Sequence, residues 1–364
     1  MYDYSKKITK FHEDEVRLTK DEQAAMRARR ETNLNRVHDG LAELGKPEVV
    51  DTINQGGYAQ RTMTQPPEAD ADSRYDIDLG VVFEEADAAA PRTTRNWVRD
   101  AIAKKATNMK NDPETKKKCV RVIYADGYQC DFPVFRRRWA EVGWQYELSS
   151  GDEWVASDPR AMNAWIDVQV SAKSPELIGS YQLRRMIRLV KFFCKVHAHR
   201  TGKKYPSGLV ATALAIECYF AENGRDDLSL RETLRALSNR WKYSPVYANG
   251  VQVSDDKDVD RIQRLIDEAK AAVEHLDALD GEDVTAKDAR KAWKKVFRHS
   301  FFEEPEMATN AFAGLETKSA LSAPALSLGA IAGLTQEVRA ERMQSAVDAR
   351  LSQGGGAKPW ASRE

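Results

Sequence analysis

The stretch Tyr75-Asp76-Ile77-Asp78-Leu79-Gly80-Val81-Val82-Phe83 constrains this chain more than any other. Its β-branched and aromatic residues, closed by Glu84-Glu85-Ala86-Asp87, read as a strand. Side chains alternate along a strand, so Asp76 and Asp78 point to one face. Two neighbouring carboxylates repel, and a hard cation with oxygen ligands, Mg²⁺ above all, removes the repulsion. A third carboxylate from an adjacent strand completes a two-metal site for phosphoryl chemistry. Asp131 is the candidate. Val120 to Tyr124 and Tyr128 to Val134 flank Ala125-Asp126-Gly127, a strong hairpin signal, and put Asp131 in mid-strand among apolar neighbours. An unpaired carboxylate is costly to bury there, so something must compensate it.

The chain has 364 residues, enough for two lobes or one large domain. Its 56 basic and 56 acidic residues cancel, so any nucleic-acid surface would have to be a local patch. No apolar run approaches the roughly 20 residues of a membrane helix, and no hydrophobic signal core follows Met1, which sets a cytoplasmic expectation. Cys119, Cys130, Cys194 and Cys218 are too scattered for a metal knuckle and read as small buried hydrophobes.

Along the chain, the pattern predicts a long helix from about Asp14 to Leu44, stopped by Gly45-Lys46-Pro47. The run Arg27-Ala28-Arg29-Arg30 reads as a solvated face of it. A short strand over Val49 to Ile53 precedes Asn54-Gln55-Gly56-Gly57, where paired glycines let backbone N–H groups approach phosphate. Thr64 to Arg74 reads as a loop and Thr93 to Lys105 as a short helix. Lys116-Lys117-Lys118 precedes the hairpin, and Arg136-Arg137-Arg138 follows it as a nucleotide contact or a solvated charge run. Trp144 to Leu148 and Trp165 to Val170 read as further strands, with Trp154 to Pro159 as loop between them.

From Pro175 the periodicity is helical, with Leu183, Met186, Ile187, Val190, Phe193 and Cys194 as one stripe. Lys191 lies at its edge, to reach water or to serve an anion. His197 and His199 point about 200° apart on a helix and make a poor metal pair. Ser207 is a good N-cap for a helix over Gly208 to Asn223, and a helix N-terminus with a hydroxyl also suits phosphate. Helices follow around Leu230 to Trp241, Val259 to Leu276 and Ala286 to His299, the last opened by a Thr285/Asp288 capping box, with Lys242 to Asp255 as loop. Beyond Met307 the chain is Ala-, Ser-, Leu- and Gly-rich, with one exposed helix expected over Gln336 to Leu351.

On Gln55-Gly56-Gly57, Tyr75-Asp76-Ile77-Asp78-Leu79-Gly80, Cys130-Asp131-Phe132-Pro133 and Pro206-Ser207-Gly208 following Lys191, the chain resembles the DNA-polymerase-β-like nucleotidyltransferases. More narrowly, it resembles the bacterial cGAS/DncV-like nucleotidyltransferases of anti-phage signalling systems. The likeness spans roughly residues 10 to 305. It implies an α+β fold: a polymerase-β-like core of mixed sheet and helices over 1–172, a helical lobe over 173–305, an active site in the cleft between them, and an extension over 306–364. It implies that Asp76, Asp78 and Asp131 hold two Mg²⁺ ions, with Mn²⁺ able to replace them, and that Asp131 helps activate the attacking ribose hydroxyl. Gln55, Gly56 and Gly57 would line the triphosphate turn, and Lys191 and Ser207 would hold the donor triphosphate. Most members carry Gly-Ser where this chain has Gly56-Gly57, which keeps backbone contacts and removes a hydroxyl. The implied activity joins NTPs, ATP and GTP foremost, into a cyclic di- or trinucleotide second messenger that reaches a downstream effector by diffusion. A monomer is expected, without a membrane or a nucleic-acid substrate. The alternatives are transfer to RNA or a protein hydroxyl on the same scaffold, and a non-catalytic nucleotide sensor.

Overall fold

A computed structural model of the chain describes residues 1–68, 75–141, 143–176 and 179–303. The extension over 306–364, with the helix expected in it, lies outside the described residues. Helix α1 spans Ser5–Phe11 and runs through a single π turn, His12–Val16, before helix α2, Lys20–Glu43. The break in the expected long helix has a local cause. Thr19 caps Glu22 N and the Glu22 carboxylate returns to Thr19 N, a reciprocal box that starts α2 at Lys20, six residues late.

Strand β1 (Asp51–Gln55) leads directly into a one-turn helix, α3 (Gly56–Ala59), where a turn was expected. Strand β2 (Asp76–Glu84), helix α4 (Pro91–Lys105) and strands β3 (Glu114–Thr115), β4 (Cys119–Ile123), β5 (Gln129–Ala140), β6 (Gly143–Ser150) and β7 (Glu153–Ala156) follow. They form one mixed sheet in the order β1-β2-β5-β4-β3, with β6 joined to β5 and β7 to β6. β2 and β5 are parallel and the other pairs antiparallel. The long β5 works twice: Gln129 to Pro133 pair with β4, and Phe135 to Ala140 with β6. The expected loop over Trp154 to Pro159 is thus partly strand.

One face of the sheet packs on α2 and α4, with Ile77, Leu79, Val81 and Phe83 of β2 fully inside. The two helices meet closely: any side chain at Gly40 would overlap the Ala101 backbone. Behind the hairpin, Tyr124 and Tyr128 stack 4.4 Å apart and Asn33 of α2 donates to Tyr128 Oη at 3.0 Å, so the hairpin tip is tied to α2.

Helices α5 (Pro159–Lys173), α6 (Gln182–Thr201), α7 (Gly208–Cys218) and α8 (Asp226–Ser238) come next, then a small hairpin of β8 (Tyr247–Ala248) and β9 (Val251–Gln252), and helices α9 (Val259–Asp277) and α10 (Ala286–Phe297). Two expectations change here. Trp165 to Val170 is helical, because Asp158 caps Arg160 N, Pro159 takes the first helical position, and Ile166 and Val170 bury one face while Val168 is 58% exposed. The segment between α8 and α9 holds the β8–β9 hairpin within the expected loop.

α6 is the axis of the helical core. Leu183, Met186, Ile187, Leu189, Val190, Phe192 and Phe193 are all fully buried. The N-terminal Phe11 packs in this core, against Phe192, Phe297 and Phe302, and burying one such ring contributes roughly 2–3 kcal/mol. His197 is a packing residue, set between Glu268 and the Val296 carbonyl, and His199 does not join it. All four cysteines are free, Cys130 and Cys194 buried and the other two half-buried. No described helix is long and apolar enough to cross a membrane.

Candidate active site

The starts of β2 and β5 run side by side, and Asp78 is the register partner of Asp131. One ligand oxygen from each of Asp76, Asp78 and Asp131 lies within 4.8 Å of the other two. The donor set is all carboxylate, the chemistry of a hard cation, and the three side chains can hold a metal ion. The nearby Cys119 thiol is pushed up to about 12 by burial and by Asp131, so it stays protonated and offers no thiolate.

The crowding shows in the acid strengths. Burial first, then Asp76 and Asp131, push the Asp78 carboxyl up to about 7. Asp76 is raised by burial and by Asp131, eased by a hydrogen bond from Gln129 Nε2 at 3.0 Å. Asp131 is gripped by a residue that the sequence reading passed over. Arg121, opposite it in the β4–β5 ladder, donates from Nε to Oδ1 at 2.8 Å and from Nη2 to Oδ2 at 2.7 Å.

Asp76 and Asp78 open onto a cleft of ≈ 1290 Å³. Gln55, Gly56, Gly57, Lys191 and Ser207 all line it, so seven of the eight expected site residues share one cavity, and Asp131 stands behind them in the carboxylate cluster. Gly56, the first residue of α3, is at φ +60°, and a side chain there would overlap Asp78 Oδ2, so any other residue would displace the carboxylate or strain the backbone. Gln55 carries a buried Nε2 with no hydrogen-bond partner. Ser207 caps α7 by accepting from Val210 N at 3.4 Å, which leaves its hydroxyl hydrogen to donate.

A basic ladder on α6 brings Lys191 and Lys195, but not Arg188, to the cleft wall. Arg188 donates from Nε to the Arg61 carbonyl at 2.9 Å, Lys191 to the Thr62 carbonyl at 2.8 Å, and Lys195 to the Thr64 carbonyl at 3.1 Å. Burial chiefly, with Lys195 and Arg188 adding repulsion, drops Lys191 to about 7. Lys195 also lines the cleft, a residue missed although it sits one turn beyond Lys191 on the same face. A Cβ at Gly57 would stand 3.2 Å from Lys191 Nζ, so the missing serine leaves room that the ammonium uses.

The arginine run divides. Arg136 pairs with Glu147 at 2.5 Å and with Glu85 at 3.2 Å, and Arg137 with Glu84 at 2.8 Å, so both serve the sheet surface, while Arg138 lines the cleft. Arg29 of α2 pairs with Asp126 and Arg30 bonds Asn54 Oδ1 at 2.5 Å, so that expected solvated run ties α2 to the hairpin and to β1.

A family model described as "Cyclic GMP-AMP synthase DncV-like, nucleotidyltransferase domain" matches residues 50–135, a span holding the three aspartates and the Gly56-Gly57 turn. Solved structures share the fold. The cyclic AMP-GMP synthase DncV of Vibrio cholerae in complex with nonhydrolyzable GTP is 14% identical, covers 82% of this chain and 96% of its own, and superposes with a TM-score of 0.64. The same enzyme with the linear intermediate 5′ pppA(3′,5′)pG gives 15%, 82%, 96% and 0.63. CdnC of Escherichia coli MS115-1, solved as a CdnC:HORMA-deltaN complex, gives 20%, 81%, 97% and 0.57. Residues 50–135 thus match a DncV-like nucleotidyltransferase domain, and the chain shares the fold of the DncV and CdnC structures.

Proposed function

We propose that the protein joins nucleoside triphosphates, ATP and GTP foremost, into a cyclic dinucleotide or trinucleotide second messenger, releasing pyrophosphate. The observation that carries the proposal is the convergence of Asp76, Asp78 and Asp131 beside a cleft that also holds Lys191, Lys195 and Ser207. Each bond-forming step joins a ribose hydroxyl oxygen to an α-phosphorus and breaks the bond between the α- and β-phosphates. Two Mg²⁺ ions, which Mn²⁺ can replace, would supply Lewis-acid stabilisation of charge on the entering and leaving oxygens when held by the three aspartates.

The protein's own groups do the positioning. Lys191 and Lys195 bring positive charge, and Ser207 an O–H donor, to the triphosphate. The partnerless Gln55 Nε2 and the backbone beside Gly56 face the same space. Asp131 takes the hydroxyl proton, a role suited to a carboxylate that Arg121 already keeps in place. Cyclisation needs two nucleotides to stay and reorient in one pocket. A cleft of ≈ 1290 Å³ exceeds the roughly 300–1,000 Å³ that takes one small ligand, which supports room for both.

The biological setting belongs to the same proposal: a cytoplasmic, monomeric synthase of anti-phage defence, whose product diffuses to an effector. The CdnC:HORMA-deltaN assembly favours a protein partner in its control. The domain division at 172 and 305 is part of the proposal too. The test is product analysis. Protein incubated with all four NTPs and Mg²⁺ yields pyrophosphate and a phosphatase-resistant product whose mass identifies the bases. Hydrolysis to free nucleotides alone, with and without candidate activators, overturns the proposal.

A further inference from the structure

Arg121 and Asp131 face each other across the β4–β5 ladder, and the register alone puts both side chains on one face of the sheet. A cross-strand ion pair is ordinarily a packing device. This one is unusual because its acceptor belongs to a group of three carboxylates with oxygens within 4.8 Å of one another. Both oxygens of Asp131 are engaged, fork to fork, at 2.8 and 2.7 Å. The Asp131 side chain is 10% exposed and that of Arg121 35%, so the guanidinium is the more open of the two. Asp76 and Asp78 line the cleft, whereas Asp131 is not among the residues that do.

We propose that Arg121 is a positioning residue that competes with the metal for Asp131, holding the carboxylate through both oxygens and giving up at least one of them when a divalent cation engages the three aspartates. The proposal rests on the assignment of Asp76, Asp78 and Asp131 as a metal site. Its physical basis is charge. With the guanidinium seated, one of three negative charges is already neutralised, so an incoming cation meets a weaker field and a cation of its own sign beside it. Without the guanidinium, the same oxygens are free but repel one another unopposed. Arg121 therefore stabilises the metal-free cluster and raises the metal concentration at which the cluster fills. Gln129 does not play this part, since its Nε2 is 3.0 Å from Asp76 Oδ1 and 3.5 Å from Asp131 Oδ1, and it carries no charge.

The test is Mn²⁺ binding to the full chain without nucleotide, followed by calorimetry and by the electron-spin signal of free Mn²⁺. Arg121→Gln is expected to lower the midpoint at least fivefold while reducing the melting temperature of the metal-free protein. Arg121→Lys, which keeps the charge without the fork, falls between it and wild type. A purely structural role lowers the melting temperature with and without metal and leaves the midpoint where it was. An unchanged or higher midpoint in Arg121→Gln overturns the proposal. Asp131→Asn separates the two ideas: if it binds Mn²⁺ as wild type does, the metal assignment of Asp131 itself is wrong. Should Arg121→Gln fail to fold, wild type decides, because saturating Mg²⁺ must shift the Arg121 Nε–H resonance, and a resonance indifferent to Mg²⁺ overturns the proposal equally.

Discussion

Two clusters of like charge each bring two side chains to the same cleft, Asp76 with Asp78 and Lys191 with Lys195, and the chain treats them in opposite ways. On α6, Arg188, Lys191 and Lys195 each donate to a backbone carbonyl of the segment from Arg61 to Gln65. Neutral dipoles satisfy these cations while burial still weakens Lys191 as a base partner, down to about 7. At the sheet, Asp76, Asp78 and Asp131 share one arginine and one glutamine among them. Burial and like-charge repulsion press on both clusters, but carbonyl dipoles of the chain meet the basic one, whereas the acidic one calls for a cation. Sites that store such repulsion lower stability in exchange for function.

The largest effect should come from breaking the acidic cluster. Asp78→Asn is expected to cut product formation by about 10³ or more, in line with loss of an essential metal or catalytic group, while raising the melting temperature by several degrees in metal-free buffer at pH 8. The sign follows from linkage. A carboxyl raised from 3.8 to about 7 by folding favours the protonated native state, so its native-state penalty is absent below pH 4, grows between pH 4 and 7, and is constant above. The stability gain of the variant should therefore vanish near pH 4. A gain independent of pH would show that the three carboxylates do not repel as described.

Gly56→Ala comes next. Its methyl group would collide with Asp78 Oδ2, and φ +60° strains any L residue, so α3 or the carboxylate must move. Activity should fall by about 10²-fold, consistent with misplacement by an ångström at a reacting centre. Gly40→Ala is the matched comparison, since it too forces backbone apart, but between α2 and α4, away from the cleft. It should lower the melting temperature with little change in the specific activity of the folded fraction. Equal activity losses would mean that the two glycines serve packing alike.

On the basic side, Lys191→Gln should raise the KM for NTP by roughly tenfold to a hundredfold with a smaller change in kcat, the loss of one or two charge-assisted contacts. Lys195→Gln should do the same more weakly. Both should leave metal binding nearly unchanged, which is the sharpest way to separate the clusters. A coupled loss of Mn²⁺ affinity in Lys191→Gln would join them into one unit.

The acidic cluster was legible because two simple rules converge on it. Alternation along β2 aligns Asp76 with Asp78, and the Asp126-Gly127 turn fixes a register that faces β5 with β4. The same register pairs Arg121 with Asp131, so Arg121 could have been found by counting outward from the turn. Lys195 carried an equally plain signal, four residues after Lys191. The start of α2 and the helical state of α5 were harder. The first turns on a side-chain cap, and the second on a tryptophan and β-branched run whose strand propensity loses to an N-cap, a proline at the first turn and burial every fourth residue. The pairing of α1 with the C-terminal helices depends on Phe11 meeting Phe297 and Phe302, contacts far apart in sequence that no local pattern encodes.

Gly57→Ser should have the smallest effect and is the most informative about the basic cluster. A Cβ there meets Met63 Cγ at 3.1 Å and Lys191 Nζ at 3.2 Å, both on flexible side chains that can yield by a few tenths of an ångström. The backbone at Gly57 is ordinary helix, so no strain opposes the change, and the fold should hold within about 1 kcal/mol. The new hydroxyl would stand beside the ammonium and compete with the Thr62 carbonyl for it. If Lys191 already fills the space a serine would occupy, the serine adds a donor and displaces another, and the KM for NTP should change by less than about fivefold in either direction. A tenfold or greater fall in KM would mean that Lys191 does not stand in for the hydroxyl and that the phosphate side of the cleft lacks a donor. Combined with Lys191→Gln the distinction becomes sharper, because a serine that substitutes for the lysine rescues the double variant and one that merely adds to it does not.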